Sequence, residues 1–328
     1  MNGAARRARM NTAFAYRAVV AGLVLCALQG LSGCRARAEE KRDAVRSDDE
    51  TVWLRDVTRA GRFDDREVDE SSGMAPMAGD SLLFWTHNDS GNEARLYAVD
   101  STGRVVGRVR VRGATNTDWE AMASGPCPEG RCLYIADVGD NSAKRPVLTV
   151  WRVLEPGVRE VNSATAARLA FRLPDGPQDI EAIYVAPDTS VWLISKRPAR
   201  GAAGAARPVR VYRLPAAVWA GNVPGPTVAD LVDSLPIVPQ KGDSRDWVTD
   251  AAVSPPRADG SRRLAVLTYG AIQVFRLHPE SGRPGLRYAR CALPVRERNA
   301  EAIAWLPDGR LLFTNEGKGA PLYSGRCP

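Results

Sequence analysis

Acidic residues recur in this sequence at one place in a repeated pattern. Asp118-Trp-Glu-Ala-Met-Ala123, Asp179-Ile-Glu-Ala-Ile-Tyr184 and Asn299-Ala-Glu-Ala-Ile-Ala304 each set a Glu before small and apolar residues. Thr249-Asp-Ala-Ala-Val253 carries an Asp in that place, and Glu70-Ser-Ser-Gly-Met-Ala75 a serine, Ser72. Glu120, Glu181, Asp250 and Glu301 are therefore read as equivalent. Carboxylates brought together repel and raise one another's pKa unless a cation sits among them. The chain holds only 2 histidines, so an oxygen-rich ring of this kind suits Ca²⁺ or Mg²⁺ rather than zinc. The competing reading is that the acids accept hydrogen bonds from neighbouring backbones and tie the repeats together.

A second polar set follows each acid after one further apolar run. It comprises Thr86-His-Asn-Asp-Ser-Gly-Asn92, Asp137-Val-Gly-Asp-Asn141, Lys196-Arg-Pro198, Tyr269-Gly270 and Asn315-Glu-Gly-Lys318. These segments are more polar than turns require. His87, Asn88, Asp89, Asp137, Asp140, Asn141, Lys196, Arg197, Asn315, Glu316 and Lys318 are the candidate ligand-binding residues. Other chemistry is less well served. His87, Asp89 and Ser90 share one short segment, whereas a nucleophilic relay needs residues brought from separate segments. No phosphate-binding or dinucleotide glycine motif is present. Glycosidase work needs two carboxylates facing a sugar, which the acids permit but nothing selects.

The elements that must position these groups are strands. From Thr51 onward the chain alternates short apolar runs with Gly, Pro, Asn and Asp, without sustained helical periodicity. Each acidic start is followed by a second run, such as Leu133-Tyr-Ile-Ala136, and a third, such as Leu148-Thr-Val-Trp-Arg152. Five such units of roughly 50 to 70 residues describe an all-β propeller of five blades, with six as the alternative. The last unit stops after its third strand, and Thr51-Val-Trp-Leu-Arg-Asp-Val57 is expected to supply the missing outer strand and close the ring without a free edge. In an antiparallel blade the start of the first strand and the end of the second share a side, so the acids and the polar loops meet at one mouth of the central channel. The opposite face receives plain turns, Pro128-Glu-Gly-Arg131 and Pro307-Asp-Gly-Arg310. Trp119 and Trp247 are read as wedges between blades, and 199–206 as an insertion on the polar face.

The blade openings, above all Asp118–Ala123 and Asn299–Ala304 followed by a strand and an acidic loop, resemble those of phytase-like propellers and of the SdiA-regulated family. Senescence-marker/gluconolactonase propellers share a similar Glu-plus-small opening. The likeness spans roughly Glu70 to Tyr323. It implies that acidic channel residues hold Ca²⁺ ions that in turn bind phosphate. Glu120, Glu181, Asp250 and Glu301 match that role by position, and Lys196, Arg197 and Lys318 stand for the basic, phosphate-facing set.

Ahead of the propeller the chain carries export signals. Arg6, Arg7, Arg9 and Arg17 precede an apolar run from Ala18 to Leu31 that is shorter than the roughly 20 residues of a membrane-spanning helix. It ends in Leu31-Ser32-Gly33-Cys34, which resembles the lipobox of bacterial lipoproteins and implies cleavage before Cys34 and lipid on its sulfur. Residues 1–33 are thus read as a signal peptide, 34–50 as the lipidated cysteine and a charged tether, and 51–328 as the propeller. Cys127 pairs with Cys132 across a turn sequence and Cys291 with Cys327 by elimination, as suits an oxidising compartment. The four leader arginines remove four charges from the net +7, and a surplus so small is no nucleic-acid footprint. No Asp follows Cys34, which favours the outer over the inner membrane. The expected molecule is an exported, lipid-anchored propeller that binds a protein partner or a small envelope ligand through its acidic face. The alternative is a Ca²⁺-dependent hydrolase of phosphoesters or lactones.

Overall fold

The start of each repeat becomes the innermost strand of a sheet, and the described residues form five such sheets. The computed structural model describes residues 51–80, 82–197, 206–219, 225–294 and 300–328. Cys34, the leader, the tether and most of the 199–206 insertion lie outside them.

The chain enters through β1 (Thr51–Trp53) and β2 (Arg55–Arg62). Blade one is β3 (Ser71–Pro76), β4 (Leu83–Asn88), β5 (Arg95–Asp100) and β6 (Val105–Arg112). Blade two is β7 (Trp119–Cys127), β8 (Gly130–Asp137), β9 (Leu148–Leu154) and, after the short β10 (Asn162–Thr165), β11 (Ala167–Arg172). Blade three is β12 (Ile180–Val185), β13 (Val191–Ser195), β14 (Val209–Leu214) and, after β15 (Thr227–Val228), β16 (Asp230–Leu235). Blade four is β17 (Val248–Val253), β18 (Arg263–Thr268), β19 (Ala271–Leu277) and β20 (Pro284–Ala292). Blade five is β21 (Ala300–Trp305), β22 (Leu311–Asn315) and β23 (Pro321–Arg326), completed by β2 from the other end of the chain.

Five buried apolar clusters hold the ring, one at each junction between neighbouring blades. The inner strands alternate small and large residues, so Ala121 and Ala182 admit the close neighbour while Met122 and Ile183 fill the gap beside it. Trp119 is such a wedge: it is fully buried, donates its indole N–H to Thr115 O at 2.9 Å and meets His87 of blade one edge-on. Both expected disulfides form, Cys127–Cys132 within a hairpin of blade two and Cys291–Cys327 between blades four and five.

Ring closure is real, but the closing strand differs from the expected one. Residues 55–62 pair antiparallel with β23, whereas 51–53 pair in parallel with β20 of blade four. This second arrangement recurs. The residues just before the outer strand of one blade lie along the outer strand of the preceding blade: β10 beside β6, β15 beside β11, and β1 beside β20. At the blade-one/blade-five junction Arg62 N donates to Thr102 O, and at blade three/four Arg283 pairs with Asp233. Every junction therefore has an outer tie as well as an apolar core, and three of the five sheets have their edge covered by a neighbour's strand.

Candidate functional site

The inner strands begin with the same irregularity. In all five the register against the second strand slips by one residue, and the residue passed over is Ser72, Glu120, Glu181, Thr249 or Glu301. A bulge of this kind re-aims the extra side chain, and here it turns the three glutamates toward the channel mouth, where they interact with one another across the axis.

Asp250 is the correction. The bulge residue of blade four is Thr249, whose hydroxyl donates to Ala300 O at 2.8 Å. Asp250 stands one place further in, level with Gly73, Ala121, Ala182 and Ala302. Its carboxylate is fully buried and accepts N–H bonds from Ala251 at 2.8 Å, from Ile303 of blade five at 2.9 Å and from Met74 of blade one. Burial pushes this carboxyl well above its usual range against the pull of those donors. Asp250 thus does what the competing reading gave to all four acids: it cross-links inner strands.

At the mouth itself, one oxygen each from Asp89, Asp118 and Glu120 lies within 4.8 Å of the other two. Gly139 closes the back of this trio, and a Cβ on it would collide with the Glu120 and Asp118 carboxylates. Burial and the neighbouring Asp89 push Asp118 up to about 6. Burial, then Glu181 and Asp89, drives Glu120 well above the carboxylate range. Across the axis Lys196 reaches in from the end of β13 and sets its ammonium 2.6 Å from Glu181 Oε1. Burial works against that ammonium, but Glu181 pushes its pKa up, so it stays charged. Burial followed by Glu316 and Glu181 raises Glu301, which hydrogen-bonds the Tyr269 hydroxyl.

The other expected site residues divide between loop scaffolding and rim. His87 belongs to β4 rather than a loop; it is fully buried, its Nδ1 lies 3.1 Å from Asn88 O, and burial pushes its pKa down to about 4. Asn88 is buried at the end of the same strand and donates to Glu67 O and Asp69. Asp137 pairs with Arg145 at 2.7 Å, and Asp140 accepts the N–H groups of Lys144 and Arg145, so both shape the loop after β8. Asn141 and Arg197 meet on the rim, where the Asn141 carbonyl accepts from the guanidinium at 2.9 Å. That guanidinium also lies 4.5 Å over the half-buried Trp247 ring. Asn315 ends β22, while Glu316 and Lys318 are exposed, Lys318 lying 3.9 Å from Asp69.

Asp118, Asp179, Tyr269 and Glu70 also belong to the mouth and were missed as site residues. Asp118 and Asp179 stand two places before Glu120 and Glu181, so the repeated Asp-x-Glu was their signal. The equivalence of Thr249 had one too. Pro126, Pro187 and Pro307 follow Glu120, Glu181 and Glu301 by the same interval at which Pro255 follows Thr249, not Asp250.

No protein-family model and no curated protein matches the chain. Solved structures do. A glucose-dehydrogenase-type putative oxidoreductase of Thermus thermophilus is 13% identical, with 83% of this chain and 99% of that one covered and a TM-score of 0.43. A gluconolactonase of Xanthomonas campestris is 15% identical, with 86% and 98% covered and a TM-score of 0.40. The soluble aldose sugar dehydrogenase of Escherichia coli is 11% identical, with 82% and 98% covered and a TM-score of 0.43. These neighbours are β-propellers of the gluconolactonase and aldose sugar dehydrogenase type, and the likeness is one of fold.

Proposed function

We propose that this protein is a lipid-anchored propeller of the bacterial envelope that captures a ligand at its acidic mouth with the help of a divalent cation. The observation that carries the reading is the convergence of Asp89, Asp118 and Glu120. Three carboxylates at that spacing favour a hard ion with oxygen ligands. His87 is buried with its Nδ1 on Asn88 O, and Cys127 and Cys132 are joined to each other, so the acidic trio offers oxygen ligands. A bound Ca²⁺ would offer an open position to an anionic or carbonyl oxygen of the ligand. Lys196, fixed by Glu181, presents a second positive charge across the axis, while Arg197 and Trp247 form one side of the rim.

Cation binding must displace protons held by the raised carboxyls. Titrating Ca²⁺ calorimetrically at pH 6, in two buffers of different ionisation heat, is expected to give saturable binding with proton release. Identical heats in both buffers, or none, would overturn the cation.

Lys196 also favours a second reading, a hydrolase of lactones or phosphoesters, because a fixed ammonium beside the cation site can stabilise a developing oxyanion. Lys196→Met would then abolish turnover of such esters and leave Ca²⁺ binding in place; a wild type that turns over neither ester class contradicts the hydrolase reading.

The anchor rests on the arginine-rich start, the short apolar run and Leu31–Cys34, and two disulfides fit an oxidising compartment. Cys34→Ala is expected to leave the protein unlipidated and released from membranes. Mass spectrometry showing an unmodified mature terminus elsewhere in the wild type contradicts the anchor.

A further inference from the structure

We infer that the opposite mouth of the channel is a second binding site, for a compact apolar molecule bearing one negative charge. A cavity of about 810 Å³ opens there, within the range of small-molecule sites. Its wall is unlike the acidic mouth. The three methionines of the propeller, Met74, Met77 and Met122, all line it, beside Tyr184 and Trp305. Methionine gives an apolar, polarisable and adaptable surface.

The rim is built to stay open. A proline stands at or just beyond the far end of the inner strand in every blade, with Pro126 the last residue but one of β7: Pro76, Pro126, Pro187, Pro255 and Pro307 all line the cavity. Proline fixes φ and carries no N–H, so this ring is stiff and presents no backbone donor that needs a partner at these five places. A pre-formed apolar wall spares a ligand the cost of ordering it. The turn after β19 braces one side: Tyr184 donates its hydroxyl to Gly282 O at 2.9 Å, and a Cβ at Gly282 would strike Ala186. The same turn brings His278 to the wall.

Charge then selects among apolar ligands. Arg131 in the lining lies 3.2 Å from Glu155, and the lining's acid, Asp80, is exposed and accepts the N–H of Leu82. Arg262 donates to Ser254 O at 3.3 Å and, among the described residues, meets no carboxylate in a salt bridge. It is the cation of the lining that has no carboxylate partner among those residues, and on the blade-four side of the mouth it calls for a carboxylate or sulfonate.

The test uses the fluorescence of 8-anilinonaphthalene-1-sulfonate on the purified protein. Saturable binding of one dye per chain is expected, displaced by 1-naphthaleneacetate at concentrations at least tenfold below those of 1-naphthalenemethylamine. Arg262→Glu and Met77→Trp should each weaken the dye at least tenfold with unfolding temperatures unchanged. EDTA should have no effect, since the cation site is at the other mouth, which separates failure here from failure there. Non-saturable dye binding, equal displacement by the amine, or wild-type affinity in both variants overturns the site.

Discussion

A carboxyl group moved by one residue along an inner strand enters a different environment. Glu120 sits on the bulge and faces other carboxyls at the mouth, where burial and repulsion raise its pKa. Asp250 sits past the bulge and receives N–H groups from three strands. Removing an acceptor leaves buried donors unpaired at about 1–3 kcal/mol each, so Asp250→Ala should cost on the order of 3–5 kcal/mol in urea unfolding. Its response to Ca²⁺ should match the wild type; loss of that response with little loss of stability would return Asp250 to the cation site. The kinship of Glu120, Glu181 and Glu301 was legible because one residue type recurs in one setting. Thr249 was not, because an acid one place on imitated the pattern and only the distance to Pro255 corrects it. The burial of His87 was hidden for a related reason: a polar residue at a strand end reads as loop until the wedge of Trp119 beside it is seen.

Strands that serve two blades set the mechanics of the ring. β2 completes blade five, and β1, three residues long, ties it to blade four beside the Cys291–Cys327 disulfide. Deleting 55–62 bares the edge of β23 and uncovers apolar surface between blades, and should lower the melting temperature by roughly 10 °C or more. Deleting 35–48 should leave it within about 2 °C, since that stretch has too few apolar residues to bury a core. Equal melting of the two deletions would contradict closure by β2. Five blades and closure by the chain's start were legible in the repeat count and in the unfinished last unit. The division of labour between 51–53 and 55–62 was not. Thr51–Val57 alternates like a single strand, and only pairing with two different partners splits it at Leu54.

At the scale of the whole molecule the propeller has two unlike ends. Acidic side chains, among them Asp89, Asp118, Glu120, Asp179, Glu181, Glu301 and Glu316, gather at one mouth around Lys196, and apolar groups with Arg262 line the other. Without a cation the acidic mouth opposes folding as it ionises. Asp118 is raised in the folded chain to about 6, so the folded state holds protons that the unfolded state releases, and the stability this gives is lost as pH rises from about 4 through 6. A cation that binds only the folded form reverses the loss. The direct measurement is calorimetric melting of the wild type and of Asp118→Asn, at pH 5 and pH 7, in EDTA and over a Ca²⁺ series. The wild type in EDTA should melt lower at pH 7 than at pH 5, and Ca²⁺ should raise the pH 7 value in a concentration-dependent way. Asp118→Asn should melt at or above the wild type in EDTA and need at least tenfold more Ca²⁺ for the same rise. A wild-type melting temperature that does not move with Ca²⁺ at pH 7, or an Asp118→Asn variant that responds as the wild type does, would contradict the cation site.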